Sequence, residues 1–103
     1  PLRELIFVDD IANACIFFMN KKTKHTLINV GSGMDLTIEN YAKLILKHFK
    51  IKLKITKNKN MPDGVKRKLL DIKLAKSYGW KPKINFREGL EITINDFIKN
   101  EKI

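Results

Sequence analysis

The sequence predicts an α/β fold in which short strands alternate with about four helices. Three observations predict it: apolar runs rich in strand-forming residues, helical spacing of apolar residues between those runs, and turn or capping residues at the junctions. With 103 residues, the chain is one domain or part of one. No apolar run approaches the roughly 20 residues that cross a bilayer, and a single cysteine excludes a disulfide framework.

The first strand is predicted at residues 5–8, a run of Leu, Ile, Phe and Val. Asp9 follows as the predicted N-cap of a helix that extends to about Asn20. Apolar residues occupy much of the circumference of this helix, which predicts burial between other elements. Its cysteine, Cys15, is predicted to be a core thiol rather than a nucleophile.

A second strand is predicted at residues 26–30, closed by a Gly-Ser-Gly turn at residues 31–33. A lone G-x-G is weak evidence for a dinucleotide site, so we expect an ordinary tight turn. Thr37 is the predicted N-cap of a second helix, whose apolar residues recur at helical spacing as far as Phe49. Residues 51–56 alternate apolar and polar side chains, which predicts a half-exposed strand.

The remainder of the chain is predicted to hold a polar loop and two helices. The loop, residues 57–65, contains a Met-Pro-Asp-Gly turn. Asp71 is predicted to cap a short helix that ends with Gly79 as its left-handed C-cap. The last helix is predicted to begin at Asn85, which forms a capping-box pattern with Glu88. Strands and helices thus alternate along the chain, as in α/β proteins.

The charge is strongly basic and unevenly distributed. The net charge of +10 arises from 21 Lys and Arg against 11 acidic residues, and only three of the basic residues are arginine. Arginine is the side chain that suits base edges and bidentate phosphate contacts. Ten of the basic residues and one acid lie between Lys43 and Lys68. We therefore expect a solvated basic face or the border of an anion site, and a small nucleic-acid-binding module is the weaker alternative.

No catalytic or metal-ligating group is recognised in the sequence. His25 and His48 have no Cys, Asp or Glu at ligand spacing, and local spacing assembles no Ser-His-Asp or paired-carboxylate arrangement. Two segments nevertheless suggest binding: Arg3 beside the first strand, and the loop at residues 61–68, which ends in three cations. A rigidly held Arg with a cation on a constrained loop forms a reasonable diphosphate clamp. Asp63 on that loop suits a sugar hydroxyl or a base amine.

Four motifs together resemble one known family. Residues 3–12 contain R-E-L-I-F-V-D-D-I-A, residues 28–38 contain I-N-V-G-S-G and T-I, residues 62–71 contain P-D-G and R-K-L-L-D, and residues 79–82 are G-W-K-P. These motifs are similar to R-E-F-x-x-V-D-D-x-A, I-N-V-G-T-G…T-I, P-D-G-T-P-R-K-L-L-D and G-W-x-P of GDP-L-fucose synthases, which are extended short-chain dehydrogenase/reductases. Their order and spacing match over nearly the whole chain, which corresponds to the C-terminal third of such an enzyme.

The resemblance implies that residues 1–103 are the C-terminal substrate-binding portion of an NADP-dependent enzyme that epimerises and reduces a GDP-4-keto-6-deoxy-sugar. It places the Rossmann domain, the catalytic residues and most of the NADPH site outside this chain, so that the portion alone is expected to be inactive. Arg3 and Lys68 match positions near the substrate diphosphate, and Asp63 matches a position near the nucleotide sugar. Neighbours on an extended segment point to opposite sides, so Arg67 and Lys68 are not both expected to face the ligand.

The exact sugar stays open at this stage. Val65 and Lys66 replace the Thr-Pro of the family motif, and related GDP-sugar enzymes act on 6-deoxy-heptoses. Enzymes specific for another nucleotide, such as UDP or dTDP, are a further alternative. The chain begins without a signal-peptide pattern and without Met, and we expect it to be a cytoplasmic piece of a longer protein. We expect a homodimer when that protein is intact, with no metal and no membrane contact.

Overall fold

The computed structural model describes residues 1–62 and 64–101, which form a mixed α/β fold. Within these described residues there are three strands: β1 (Leu2–Glu4), β2 (Asp35–Thr37) and β3 (Arg67–Lys68). The same residues form four helices: α1 (Val8–Met19), α2 (Ile38–Phe49), α3 (Lys73–Ser77) and α4 (Phe86–Glu101). This architecture confirms the predicted fold class. Among the described residues, no helix has the length and apolar character needed to cross a bilayer.

The three strands form a single sheet in which β1 is central and the order is β2-β1-β3. β2 is antiparallel to β1 and sets Arg3 opposite Leu36. β3 is parallel to β1 and sets Arg3 opposite Lys68. A backbone hydrogen bond of 2.7 Å from the Leu2 amide to the Lys66 carbonyl accompanies this pairing. The sheet therefore brings the start of the chain against a segment in its second half.

The strands do not lie where the apolar runs predict them. The strand predicted at residues 5–8 is wrong, because β1 ends at Glu4 and α1 begins at Val8. The strands predicted at residues 26–30 and 51–56 are wrong as well, since neither segment belongs to the sheet. A strand is defined by its backbone hydrogen bonds to a neighbour, and among the described residues neither segment has a neighbouring strand.

Most predicted helix ends are confirmed by hydrogen bonds or backbone angles. The Thr37 hydroxyl accepts a hydrogen bond of 3.1 Å from the Asn40 amide at the start of α2. The Asn85 side chain accepts one of 2.8 Å from the Glu88 amide at the start of α4. Gly79, just after α3, has a φ of 98°, in the left-handed region that glycine tolerates best. These helix ends are therefore specified by the capping residues themselves and do not depend on distant parts of the chain.

Two predicted N-caps differ from the structure. Asp9 is not the N-cap of α1, because Phe7 occupies that position and contributes no side-chain hydrogen bond. Ile72 occupies the N-cap position of α3, yet the Asp71 carboxylate accepts a hydrogen bond of 3.0 Å from the Lys73 amide. Asp71 thus stabilises the start of α3 from the position before the N-cap and not from the N-cap itself.

The hydrophobic core lies where α1 meets α3 and the segment that follows α3. Ala14, Ala75 and Trp80 are buried there with 5% exposure or less. Two phenylalanines of α1, Phe17 and Phe18, are partly buried and pack against this cluster. The radius of gyration is 16.5 Å and the shortest dimension is 18 Å, whereas a compact domain of this length has a radius of gyration of about 13 Å. The chain is therefore a thin slab with a small core.

One side of α1 is apolar and exposed. Val8, Ile16 and Met19 are 67%, 61% and 83% exposed, and Ala12 and Cys15 between them are exposed too. These five residues recur at helical spacing and form one continuous surface, here called the α1 stripe. The prediction that α1 is buried around much of its circumference, with Cys15 as a core thiol, is therefore wrong for the described chain.

Candidate functional site

Arg3 lies on the central strand, and its side chain is held by backbone carbonyls. Its Nη1 donates hydrogen bonds to the carbonyl oxygens of Leu2, at 2.8 Å, and Val65, at 2.6 Å. A Cβ placed on Gly64 would lie 2.9 Å from Nη2, so the guanidinium rests against the backbone of the loop before β3. These contacts fix the position of the cation, as the sequence predicted for an Arg beside a strand.

Lys68 lies next to Arg3 on the same face of the sheet. The two residues are register partners on adjacent parallel strands, and directly paired residues project to the same side. Lys68 is exposed, whereas Arg3 is partly buried. The sheet therefore brings together the two cations that were predicted to share a site.

Arg67 lies on the opposite face of the sheet. Its Nε donates a hydrogen bond of 2.7 Å to the Asp35 carboxylate of β2. Asp35 is paired with Glu4 across β1 and β2, so Glu4 shares this opposite face. The structure thus separates Arg67 from Lys68, in agreement with the expectation from side-chain alternation.

Asp63, the third residue predicted to contact the substrate, lies outside the described residues, and its role stays a prediction.

Tyr41 of α2 holds the backbone of Arg3. Its side chain is buried, with 7% exposure, and its Oη donates a hydrogen bond of 2.7 Å to the Arg3 carbonyl oxygen. Burial raises the pKa of the Tyr41 hydroxyl above its ordinary value of 10.0, because the charged phenolate would lose its hydration. The hydroxyl therefore stays protonated at neutral pH and remains a donor to Arg3.

Glu4 joins β1 to two distant segments. Its Oε2 accepts a hydrogen bond of 2.7 Å from the Gly33 amide, and its Oε1 accepts one of 3.3 Å from the Leu70 amide. The Ser32 hydroxyl lies 3.5 Å from Oε2. A Cβ on Gly31 would lie only 2.7 Å from Oε2, so a side chain there would displace the carboxylate. The Glu4 carboxylate therefore packs against the backbone of the Gly-Ser-Gly turn and accepts a hydrogen bond from it.

Asp10 makes a comparable but fully buried connection. With 1% exposure, its carboxylate accepts one hydrogen bond of 3.0 Å from the Lys83 amide and another of 3.0 Å from the Ile84 amide. α1 is thereby joined to the segment before α4. Sequence reasoning assigned no role to Tyr41, Glu4 or Asp10, because their partners are backbone groups far along the chain. The motif at residues 3–12, which contains both acids, was the signal available for them.

An apolar cavity of about 360 Å³ borders the sheet. Leu36, the β2 partner of Arg3, lines this cavity together with Tyr41, and residues of α4 close its other side. Arg3 and Lys68 lie on the same face of the sheet as Leu36, but neither of them lines the cavity. Two cations on one face suit the binding of an anion, and an apolar cavity on that side of the sheet suits an organic group. Within residues 1–62 and 64–101, no three His, Cys, Asp or Glu side chains are grouped as metal ligands would be.

Comparison with known proteins gives a consistent result. No protein-family model matches the chain. The chain is 38% identical over 100 residues to GDP-L-fucose synthase 1 of Arabidopsis thaliana, covering 97% of the chain and 31% of the relative. It is 36% identical over 110 residues to the GDP-L-fucose synthase of Escherichia coli, covering 98% of the chain and 34% of the relative.

A solved structure matches as well. The GDP-mannoheptose C4 reductase of Campylobacter jejuni, solved with NADP bound, superposes with a TM-score of 0.77 at 28% identity, covering 91% of this chain and 31% of that one. The chain spans about a third of the length of the relatives that it matches. These matches confirm the resemblance to GDP-L-fucose synthases and to extended reductases of GDP-sugars.

Proposed function

We propose that this chain is the substrate-binding portion of an NADP-dependent GDP-4-keto-6-deoxy-sugar 3,5-epimerase/4-reductase similar to GDP-L-fucose synthase. The observation that carries the proposal is the pairing of Arg3 with Lys68 on adjacent strands. Two cations on one face, one of them fixed by backbone carbonyls, suit the two phosphates of a nucleoside diphosphate. In the same proposal Asp63 contacts the nucleotide sugar.

In this proposal the residues of the chain bind and orient the substrate while groups elsewhere in the enzyme perform the chemistry. Contacts to the diphosphate, which does not react, hold the sugar in place for the reaction. NADPH supplies the hydride in such enzymes. The Gly-Ser-Gly turn does not fit a dinucleotide, because the Glu4 carboxylate at the Gly33 amide would repel a pyrophosphate. We therefore place the NADPH site mainly outside residues 1–103.

We also propose that the α1 stripe contacts the NADP-binding Rossmann domain of the same enzyme. The relatives are about three times as long as this chain, which leaves enough protein to cover the stripe. A continuous exposed apolar surface of this kind is typical of an interaction site. Thiol alkylation tests the contact, since Cys15 belongs to the stripe. We expect Cys15 to react much more slowly in the native full-length protein than in the same protein unfolded in urea, and equal rates would contradict the contact.

The clamp is tested by titrating the full-length protein with GDP. We expect Arg3→Ala and Lys68→Ala each to raise the Kd for GDP roughly 30-fold, because each loses a charge-assisted contact worth about 2 kcal/mol. Binding of NADPH should stay unchanged. Lys54→Ala, which removes an exposed lysine distant in sequence from both cations, is the matched control. An unchanged Kd for GDP in both clamp variants would show that the assignment is wrong.

A related epimerase/reductase that acts on another sugar, for example a GDP-6-deoxy-heptose, is the second candidate. The structural match to the Campylobacter jejuni GDP-mannoheptose C4 reductase favours it. Both candidates need the same diphosphate contacts, so they differ in the sugar alone. Comparing turnover of GDP-4-keto-6-deoxymannose with that of the corresponding GDP-heptose separates them. In either case we propose a cytoplasmic homodimer that requires no metal and contacts neither membranes nor nucleic acid.

A further inference from the structure

We infer that Glu4 is a positioning residue for the diphosphate site, an inference that rests on the proposed function. Glu4 follows Arg3 on β1, so its side chain projects from the face opposite to the two cations. It therefore does not contact the substrate. It acts by fixing the segment that follows β3, and this keeps Lys68 beside Arg3.

The need for such a contact follows from the shortness of β3. This strand has two residues and ends at Lys68, so its backbone ladder to β1 contains few hydrogen bonds. Leu70 lies two residues beyond Lys68, outside the strand, and its amide donates to Glu4 Oε1 at 3.3 Å. The Glu4 side chain thus extends the connection between β1 and the Lys68 segment past the end of the ladder.

The Glu4 carboxylate is itself held on its other oxygen. The Gly33 amide donates to Oε2 at 2.7 Å, and the Ser32 hydroxyl lies 3.5 Å from the same atom. A carboxylate is a pure acceptor, so each oxygen can serve one of the two amide donors. A glutamine of the same length would turn an NH₂ group toward one of those amides and lose that bond. The geometry therefore requires two acceptor oxygens and not merely the length of the side chain.

A second connection holds β3 on the same face. The Arg67 side chain bonds to Asp35 across the sheet at 2.7 Å, and the two side chains are 59% and 10% exposed. This pair acts within the strand, at the residue before Lys68, whereas Glu4 bonds to a backbone amide beyond the end of the strand. Glu4 therefore fixes the segment on the far side of Lys68.

The inference is tested with three variants of the full-length protein. Glu4→Gln removes the second acceptor, and Gly31→Ala displaces the carboxylate without removing it. Glu91→Gln, at an exposed acid of α4, is the matched control. Hydrogen exchange at the Leu70 and Gly33 amides reports the contacts of Glu4, and titration with GDP reports the clamp. Arg3→Ala and Lys68→Ala are titrated in the same series.

We expect Glu4→Gln to speed exchange at the Leu70 amide and to raise the Kd for GDP about tenfold, with NADPH binding and kcat at saturating GDP-sugar nearly unchanged. Gly31→Ala should act in the same direction, which keeps the inference testable if Glu4→Gln does not fold. Faster exchange with an unchanged Kd would overturn the inference, because Glu4 would then be purely structural. If Arg3→Ala and Lys68→Ala also leave the Kd unchanged, the proposed function fails instead.

Discussion

The sheet and the segment at residues 43–59 both carry many charges but arrange them differently. Around the sheet, the acids Glu4, Asp10 and Asp35 accept hydrogen bonds from backbone amides or from an arginine. In residues 43–59, all seven lysines are exposed. The acid beside them, Glu39, makes exposed pairs of 3.7 Å and 3.2 Å with two of these lysines.

This difference shows that the density of charge in the sequence is a poor guide to function. Exposed lysines repel one another weakly, because water and salt screen them. The sheet carries fewer cations, but strand pairing and side-chain hydrogen bonds fix the positions of these side chains. Substitutions around the sheet should therefore change stability or ligand binding, whereas substitutions in residues 43–59 should change little.

The largest effect is expected at Asp10. Asp10→Ala leaves two backbone amides without a buried acceptor, which should lower the free energy of unfolding by about 3 kcal/mol. Chemical denaturation of the full-length protein measures this loss. Asp9→Ala is the matched control, because the neighbouring acid is exposed and contributes at most about 1 kcal/mol through the helix dipole. An equal decrease in the free energy of unfolding in both variants would show that the buried, hydrogen-bonded carboxylate contributes no more to stability than the exposed one.

The next effect compares the neighbours Arg67 and Lys68. Lys68→Ala should weaken GDP binding roughly 30-fold, whereas Arg67→Ala should change it less than about threefold, since Arg67 faces Asp35 across the sheet. Isothermal titration of both variants with GDP measures the difference. If Arg67→Ala weakens GDP binding more than Lys68→Ala, then the face that carries Arg67 binds the diphosphate and the assignment is reversed.

Tyr41→Phe should have a smaller effect. It removes the hydrogen bond to the Arg3 carbonyl and should cost about 1 kcal/mol of stability. The pKa of Tyr41 is raised by folding, so this stability is fully present below pH 10 and is lost as the pH rises through the folded-state value. Denaturation at pH 8 and pH 11 should show that the difference between wild type and variant shrinks at the higher pH. A constant difference would mean that the hydroxyl does not titrate in this way.

The smallest effect is expected at Glu39. A hydrogen bond from Lys57, with the charges of Lys43 and Lys57, lowers the pKa of Glu39 below 4.5. Any stability that this gives is present above pH 4.5 and is lost as the pH falls through the folded-state value. An NMR titration should show the pKa returning toward 4.5 in Lys57→Ala and in 0.5 M salt. A pKa insensitive to salt would indicate that this region is less exposed than its surface suggests.

The helices could be predicted from the sequence because their signals are local. Thr37, Asn85 and Gly79 are each recognised from a few neighbouring residues, and all three lie where expected. The strands were misplaced because β1, β2 and β3 have only two or three residues, too few to produce a period-two pattern. The apolar run at residues 26–30 has the pattern of a strand but no neighbour among the described residues, and pattern alone cannot supply one.

The placement of the candidate site residues was predicted in part. The motif resemblance singled out Arg3 and Lys68, whose contact with the substrate stays a prediction, and side-chain alternation separated Lys68 from Arg67, as the register shows. Glu4 and Tyr41 escaped prediction, because each bonds to a backbone group brought close only by the folded chain. Local spacing describes neighbours along the sequence, whereas these contacts join residues that lie far apart in the sequence and meet only in the folded chain.

The parallel pairing of β1 with β3 affects how the chain folds. The Arg3 side chain and the Val65 carbonyl that it contacts are separated by 62 positions, so this pairing closes a very long stretch of polypeptide. Contacts of such high order form late and lose much chain entropy, since everything between them must first be organised. A ligand that binds both Arg3 and Lys68 would link the two ends of this stretch. Because such a ligand binds only when β1 and β3 are paired, it would stabilise the folded chain by mass action.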